Sequence, residues 1–197
     1  MSRRYTLAIA AKGYSSWSLR GWLACRIALG GNFDEVMLEL SIEARQRFLV
    51  HSPSGKVPAL RDNELGVVIN ESLAIALFLA DQYPASNLMP MEAAAKALCL
   101  SASAEMASGF HALRTHMSMN VRSVATIAGK AALEREDVRI DVGRLDTIFS
   151  SLLTKYEGPY LFGRNFSVAG DILQHKLYSF YITTLKPFHY FYYFVQM

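Results

Sequence analysis

Three short stretches of this sequence combine residue types able to hold and polarise a small charged molecule. The first is GYSSWSLRGW, residues 13–22, where Ser15, Ser16 and Ser18 stand at the point where an apolar run gives way to a helical pattern. A serine there is an N-cap by default, its oxygen accepting from an amide of the first turn. It has a second use, because a hydroxyl donor beside the partial positive charge of a helix start favours the charged form of an anionic group. The second stretch is SGKVPAL, 54–60, where Lys56 offers a cation and Val57–Pro58 an X-Pro bond between strand-forming residues. That bond is either an ordinary trans proline at a strand edge or a cis bond that turns the Val57 backbone outward, free to pair with an extended ligand. The third is Glu71–Ser72, a helix start directly after a strand. Its amides and hydroxyl suit a carboxylate and Glu71 can accept from an amine, although both residue types also favour helix starts without any ligand. Arg20 is open to two readings, a structural ion-pair partner or a contact to an anionic substrate.

The elements that must position these residues follow from periodicity. Tyr5–Ala11 reads as a strand and Trp17–Leu29 as a helix with Leu19, Trp22, Leu23, Ile27 and Leu29 at helical spacing, stopped by Gly30 and Gly31. Val36–Leu40 is a second strand, followed by a short helical stretch around Glu43–Leu49. Val57–Arg61 and Val67–Asn70 are brief strands about a polar turn, and Glu71–Tyr83 is a helix with Leu73, Ala76, Leu77 and Ala80 on one face, ended by Pro84. The order is β-α-β-α-β-β-α over residues 1–84. A linker, 85–90, leads to an all-helical part, 91–197. There Met91 to about Asn120, rich in alanine and methionine, reads as helical, and Glu134–Tyr156 as a helix with a buried stripe of Val138, Val142, Leu145, Ile148, Phe149 and Leu152.

Composition narrows the function classes. The 197 residues are 52% hydrophobic and 19% charged with a net charge of +3, the profile of a globular protein. Neither side of Pro84 is basic enough for a nucleic-acid surface. The opening MSRRYTLAIA reads as a first strand rather than a secretory signal, and no stretch reaches membrane-spanning length. Two distant cysteines, Cys25 and Cys99, argue against a disulfide framework and for a cytoplasmic location. With no CxxC, and with His111 and His116 five apart, neither thiol redox chemistry nor a metal pair is expected.

SSWSLR (15–20), SGKVPAL (54–60) and NESLAIALFLADQYP (70–84), in that order and spacing, resemble the cytosolic glutathione transferase superfamily. SSWSLR is similar to the Ser-Ser-Cys-x-x-Arg signature of the zeta class, the maleylacetoacetate isomerases, with Trp17 in the cysteine position. The resemblance implies a thioredoxin-like domain, 1–84, that binds glutathione as co-substrate without a metal. It also implies a helical-bundle domain, 91–197, that lines the pocket for an electrophile, and a homodimer. By the same resemblance Ser15 is the candidate for contact with the thiol, Ser16 its neighbour, and Ser18 the third contender. Val57 with a cis Pro58 would pair with the cysteinyl backbone, Lys56 would meet the glycyl carboxylate, and Glu71 with Ser72 would hold the γ-glutamyl end. Arg20, His111, Arg114 and Met117 are candidates for the electrophile pocket. A free thiol is mostly protonated at neutral pH, so a hydroxyl donor and a helix start together supply what thiolate formation needs.

The expected activity is therefore glutathione transfer to an electrophilic small molecule. The alternatives are a glutathione-dependent cis–trans isomerase, against which Trp17 counts, and a non-catalytic glutathione-binding or structural protein on the same scaffold. FSVAGD, 166–171, departs from the family's Ser/Thr-x-x-Asp capping box. Gly170 pushes Asp171 one position too far for the usual reciprocal cap. Beyond it, the last twenty-seven residues hold nine of the twenty-three aromatics (11 Phe, 2 Trp, 10 Tyr) and only three charges. Two readings of that stretch stand side by side, a shortened or frameshifted terminus and a divergent tail.

Overall fold

Strand β1 (Tyr5–Ile9) is the spine of the first unit, with Leu7 and Ile9 fully buried and Tyr5 and Ala8 nearly so. The structure is a computed structural model that describes residues 3–39, 41, 45–119 and 126–170. It divides into two compact units, Met1–Met91 and Glu92–Met197. Several positions of the sequence reading lie outside the described residues: Leu40, Glu43, Asn120 and the aromatic-rich stretch 171–197.

In the first unit β1 leads into α1 (Ser16–Leu29), which ends at Gly30. At φ 60° Gly30 returns its N–H to the Arg26 carbonyl, the left-handed cap that glycine makes easily. β2 (Asp34–Met37) pairs parallel with β1, and the short α2 (Arg45–His51) leads on to β3 (Ala59–Asp62) and β4 (Val67–Asn70). β3 runs antiparallel to both β1 and β4, giving a mixed sheet of order β2-β1-β3-β4. The β2 strand starts two residues before its expected position and β3 two residues after. Ala8, Leu38, Phe48 and Ala59 form an apolar cluster with Val36, Val57 and Val68 against it. At one end of the sheet the buried Asp62 accepts from Arg4 Nη2 (2.9 Å) and from the amides of Glu64 (3.0 Å) and Leu65 (3.1 Å), closing the β3–β4 turn.

Helical spacing locates α1, but its buried face is another one. Ser18, Arg20, Gly21, Ala24 and Cys25 are buried, while Leu19, Trp22, Leu23, Ile27 and Leu29 are only half-buried. The reason is close approach to α3 (Ser72–Gln82), against which α1 packs through its small residues. The inner face of α3 likewise runs through Ile75, Ala76, Leu79 and Ala80, leaving Leu73 and Leu77 half-buried. A one-turn 3₁₀ helix, Pro84–Ser86, follows.

In the second unit α4 (Ala93–Ser108) is capped by Glu92, whose carboxylate accepts from the amides of Ala94 (2.8 Å) and Ala95 (2.6 Å). The helical stretch expected over 91–120 is interrupted at Gly109, which is extended, and Phe110, which is left-handed at φ 58°. A separate α5 (His111–His116) follows. Asp141 accepts from the Leu113 amide (3.0 Å) and so pins the start of α5. α6 (Thr126–Leu133) precedes α7 (Glu136–Tyr156), whose expected stripe is buried at Val138, Leu145, Ile148, Phe149 and Leu152, with Val142 half-buried. Arg144 grips Glu105 through two hydrogen bonds, tying α7 to α4. At 168–170 a helical turn begins, and Ser167 Oγ accepts from the Gly170 amide (3.4 Å). Ser167 thus supplies its half of a cap. Gly170 holds the position from which a side chain would answer, and it has none.

Candidate active site

The sheet register brings the three motifs to one end of the first unit. Val36, Ala8, Ala59 and Asn70 form a row across β2, β1, β3 and β4. One step beyond that row lie Pro58 before β3, Glu71 after β4, and the end of β1 leading to Ser15. Gly21 shows how tightly they meet. A methyl group placed on it would lie 2.8 Å from Pro58 Cβ and 3.8 Å from Ile75 Cδ1 of α3. Only glycine lets α1, the Pro58 segment and α3 converge there.

Ser15 is the N-cap of α1. Its oxygen accepts from the Ser18 amide (3.2 Å) and its hydroxyl donates to Ser18 Oγ (2.9 Å). Ser18 is fully buried, and its oxygen also accepts from the Ala10 amide (2.9 Å) at the end of β1. Ser16 is half-buried at the first helical position. No acidic residue occupies the first turn of α1, so its partial positive charge is not neutralised by a side chain of that turn. Arg20 is completely buried with its guanidinium carbon 4.2 Å from the centre of the Trp17 ring.

The Val57–Pro58 bond is cis, the second of the two forms left open by the residues. Among the described residues no hydrogen bond occupies the Val57 amide or carbonyl. Lys56 is exposed, its amide donating to Ser54 Oγ (3.3 Å). Sequence reasoning missed what holds this loop. Asn70 Oδ1 accepts from Ser52 (2.7 Å) and Ser54 (3.2 Å), whose hydroxyls are 2.9 Å apart, and Ser52 is fully buried. The S-x-S in a turn-rich HSPSGK segment reads as loop chemistry, and nothing local points to a partner sixteen and eighteen residues on.

Glu71 sits at φ 69°, ψ 132°, a backbone conformation that favours glycine, and its exposed side chain makes no capping bond to α3. Ser72 is 1% exposed, and among the described residues nothing pairs with its hydroxyl. A buried hydroxyl without a partner at a helix start is the arrangement a ligand oxygen would complete.

Three candidates fall in the second unit, where their side chains have structural work. Arg114 Nη1 donates to the Met106 (3.3 Å) and Ala107 (3.2 Å) carbonyls at the end of α4, and Nη2 meets His111 Nδ1 at 2.9 Å. His111 is exposed, and Met117 is a core residue at 1% exposure. The described residues hold no cluster of three His, Cys, Asp or Glu suited to a metal ion. They include no helix long and apolar enough to cross a membrane, and Cys25 and Cys99 are buried thiols in no disulfide.

Fold and site together define a thioredoxin-like α/β unit joined to a helical unit, with a helix start that carries a buried serine hydroxyl and, at the same end of the sheet, a cis proline. The family model for the glutathione S-transferase N-terminal domain matches residues 14–82. The structure of a sphingomonad glutathione S-transferase complexed with glutathione is 31% identical, covering 87% of this chain and 80% of its own, at a TM-score of 0.62. A Burkholderia glutathione transferase homologue with bound glutathione is 20% identical, covering 96% and 88%, at a TM-score of 0.69, a likeness of fold. Glutathione S-transferase Z2 of Arabidopsis thaliana is 33% identical over 113 residues, 55% of this chain and 48% of that protein. The chain thus spans about half the length of that curated relative. The chain belongs to the glutathione S-transferase family.

Proposed function

We propose that this protein binds glutathione at the end of the sheet and activates its thiol as a thiolate for attack on an electrophilic small molecule. The observation that carries the reading is Ser72, a buried hydroxyl at the start of α3 with no partner among the described residues, beside Glu71 in a glycine-type conformation. The γ-glutamyl carboxylate would take the Ser72 hydroxyl and the amides of the first turn, with Glu71 accepting from the amine. The Val57 amide and carbonyl, unpaired among the described residues, would pair with the cysteinyl backbone, and Lys56 would approach the glycyl carboxylate. Ser15, at the uncompensated start of α1, would donate to the sulfur and so favour the thiolate, with the thiol proton leaving to solvent. The same reading expects a cytoplasmic homodimer. Retention on immobilised glutathione, followed by turnover of an electrophile panel that includes maleylacetoacetate-like substrates, tests it. Ser72→Ala is expected to weaken glutathione binding by roughly 10- to 150-fold, the worth of one charge-assisted hydrogen bond. Retention without any turnover would make the protein a binding module, and wild-type affinity in Ser72→Ala would refute the site.

A further inference from the structure

We propose that Ser18 is a positioning residue for thiol activation. It is the buried middle link of a hydrogen-bond chain running from the Ala10 amide through Ser18 to Ser15. The inference rests on Ser15 as the thiol-contacting hydroxyl. Two distances define the chain, 2.9 Å from the Ala10 nitrogen to Ser18 Oγ and 2.9 Å from Ser15 Oγ to Ser18 Oγ, and the Ser18 amide reaches back to Ser15 Oγ at 3.2 Å. Ser18 is fully buried, so water does not compete for its oxygen.

In the free protein the Ser15 proton points at Ser18. A Ser15 hydroxyl that turns its proton toward a sulfur anion withdraws it from Ser18. The oxygen–oxygen pair is then kept only if the Ser18 hydroxyl reverses and donates to Ser15. The Ala10 amide still donates to Ser18, so every link points the same way, from the main chain of β1 toward the sulfur. Each donor polarises the next, and a hydroxyl that accepts while it donates is the stronger donor. Ser18 thus has two states, acceptor at rest and donor when the thiolate is present. Both are anchored by a strand-end amide that cannot move away. An ordinary N-cap needs none of this, because Ser15 already satisfies the Ser18 amide by itself.

The test is the pH titration of glutathione bound to the full chain, followed by the ultraviolet absorbance of the thiolate. Ser18→Ala removes the link and is expected to raise the titration midpoint by about half a pH unit, with Ser18→Thr returning it toward wild type. Ser18→Ala also strands the buried Ala10 amide. If that variant does not fold, Ser18→Cys, a weak donor of similar size, carries the same expectation. Thermal melts of all variants separate lost stability from a moved midpoint. A folded Ser18→Ala or Ser18→Cys protein with the wild-type midpoint overturns the proposal. Ser15→Ala distinguishes the two levels: if it leaves the midpoint unchanged, the Ser15 reading itself fails, whatever Ser18 does.

Discussion

Replacing Glu71 with glycine should make the protein more stable while weakening its grip on glutathione. Glu71 is held at φ 69°, ψ 132°, outside the regions open to a residue with a Cβ. A non-glycine residue so placed costs about 1–3 kcal/mol. Glycine removes that cost but loses about 0.5–1 kcal/mol through the greater freedom of the unfolded chain. The Glu71 side chain is exposed and caps nothing, so little else is lost with it. The balance is a gain of about 1 kcal/mol, which for a chain of this size raises Tm by roughly 2–4 °C. Glu71→Ala is the control. It keeps the strained backbone and removes the carboxylate, so its Tm should stay near wild type. Both variants should bind glutathione more weakly, read by retention on immobilised glutathione. Circular dichroism melts without ligand give the stability arm. A Glu71→Gly protein that melts at or below the wild-type temperature would refute the strain argument, and unchanged glutathione binding in both variants would refute the role of the side chain.

Three further outcomes follow from the packing and the charges. Gly21→Ala puts a methyl 2.8 Å from Pro58 Cβ, and should cost about 1–3 kcal/mol in a urea melt while loosening glutathione binding through the displaced loop. Burial opposes ionisation of Asp62, but Arg4 and the amides of Leu65 and Glu64 outweigh it and hold the carboxyl below its ordinary 3.8. A folded-state value below the unfolded one means that this stability is fully present above 3.8 and lost as the pH falls through the folded value. Asp62→Asn should therefore flatten the acid limb of urea midpoints measured across that window. Gly170→Asp offers Ser167 the missing half of its capping box, and among the described residues the new Cβ meets only the Phe166 ring, at 3.5 Å. It should stabilise by about 1 kcal/mol in thermal melts.

The motifs announced themselves in the sequence because each couples a backbone need to a residue type. Pro58 invites a cis bond, the serines mark a helix start, and Glu71–Ser72 follows a strand. Periodicity found α1, α3 and α7 and marked the buried stripe of α7, but the face that α1 buries is not the one its apolar residues mark. In α1 the small residues Gly21, Ala24 and Cys25 turn inward because α3 and Pro58 come so close, and no hydrophobicity pattern reports a distance. The break at Gly109 was hidden among good helix formers. It depends on Asp141, thirty-two residues on, receiving the start of α5. For the same reason nothing local announced that Asn70, the end of a strand, also holds Ser52 and Ser54, or that the Arg114 guanidinium meets the last carbonyls of α4. Long-range partners carry no local signature.

The pairing of Ser52 and Ser54 with Asn70 has a kinetic consequence. Ordering a free loop costs about 1–2 kcal/mol per residue. Here the segment before Pro58 is fastened to the strand that ends at Asn70, next to Glu71, before any ligand arrives. Encounter then needs no wait for one arm of the site to find the other, and the association rate should resemble docking onto a rigid surface. Ligands that use more or fewer of the contacts should differ in how long they stay rather than in how fast they arrive. A single asparagine oxygen thereby shifts discrimination from arrival to departure.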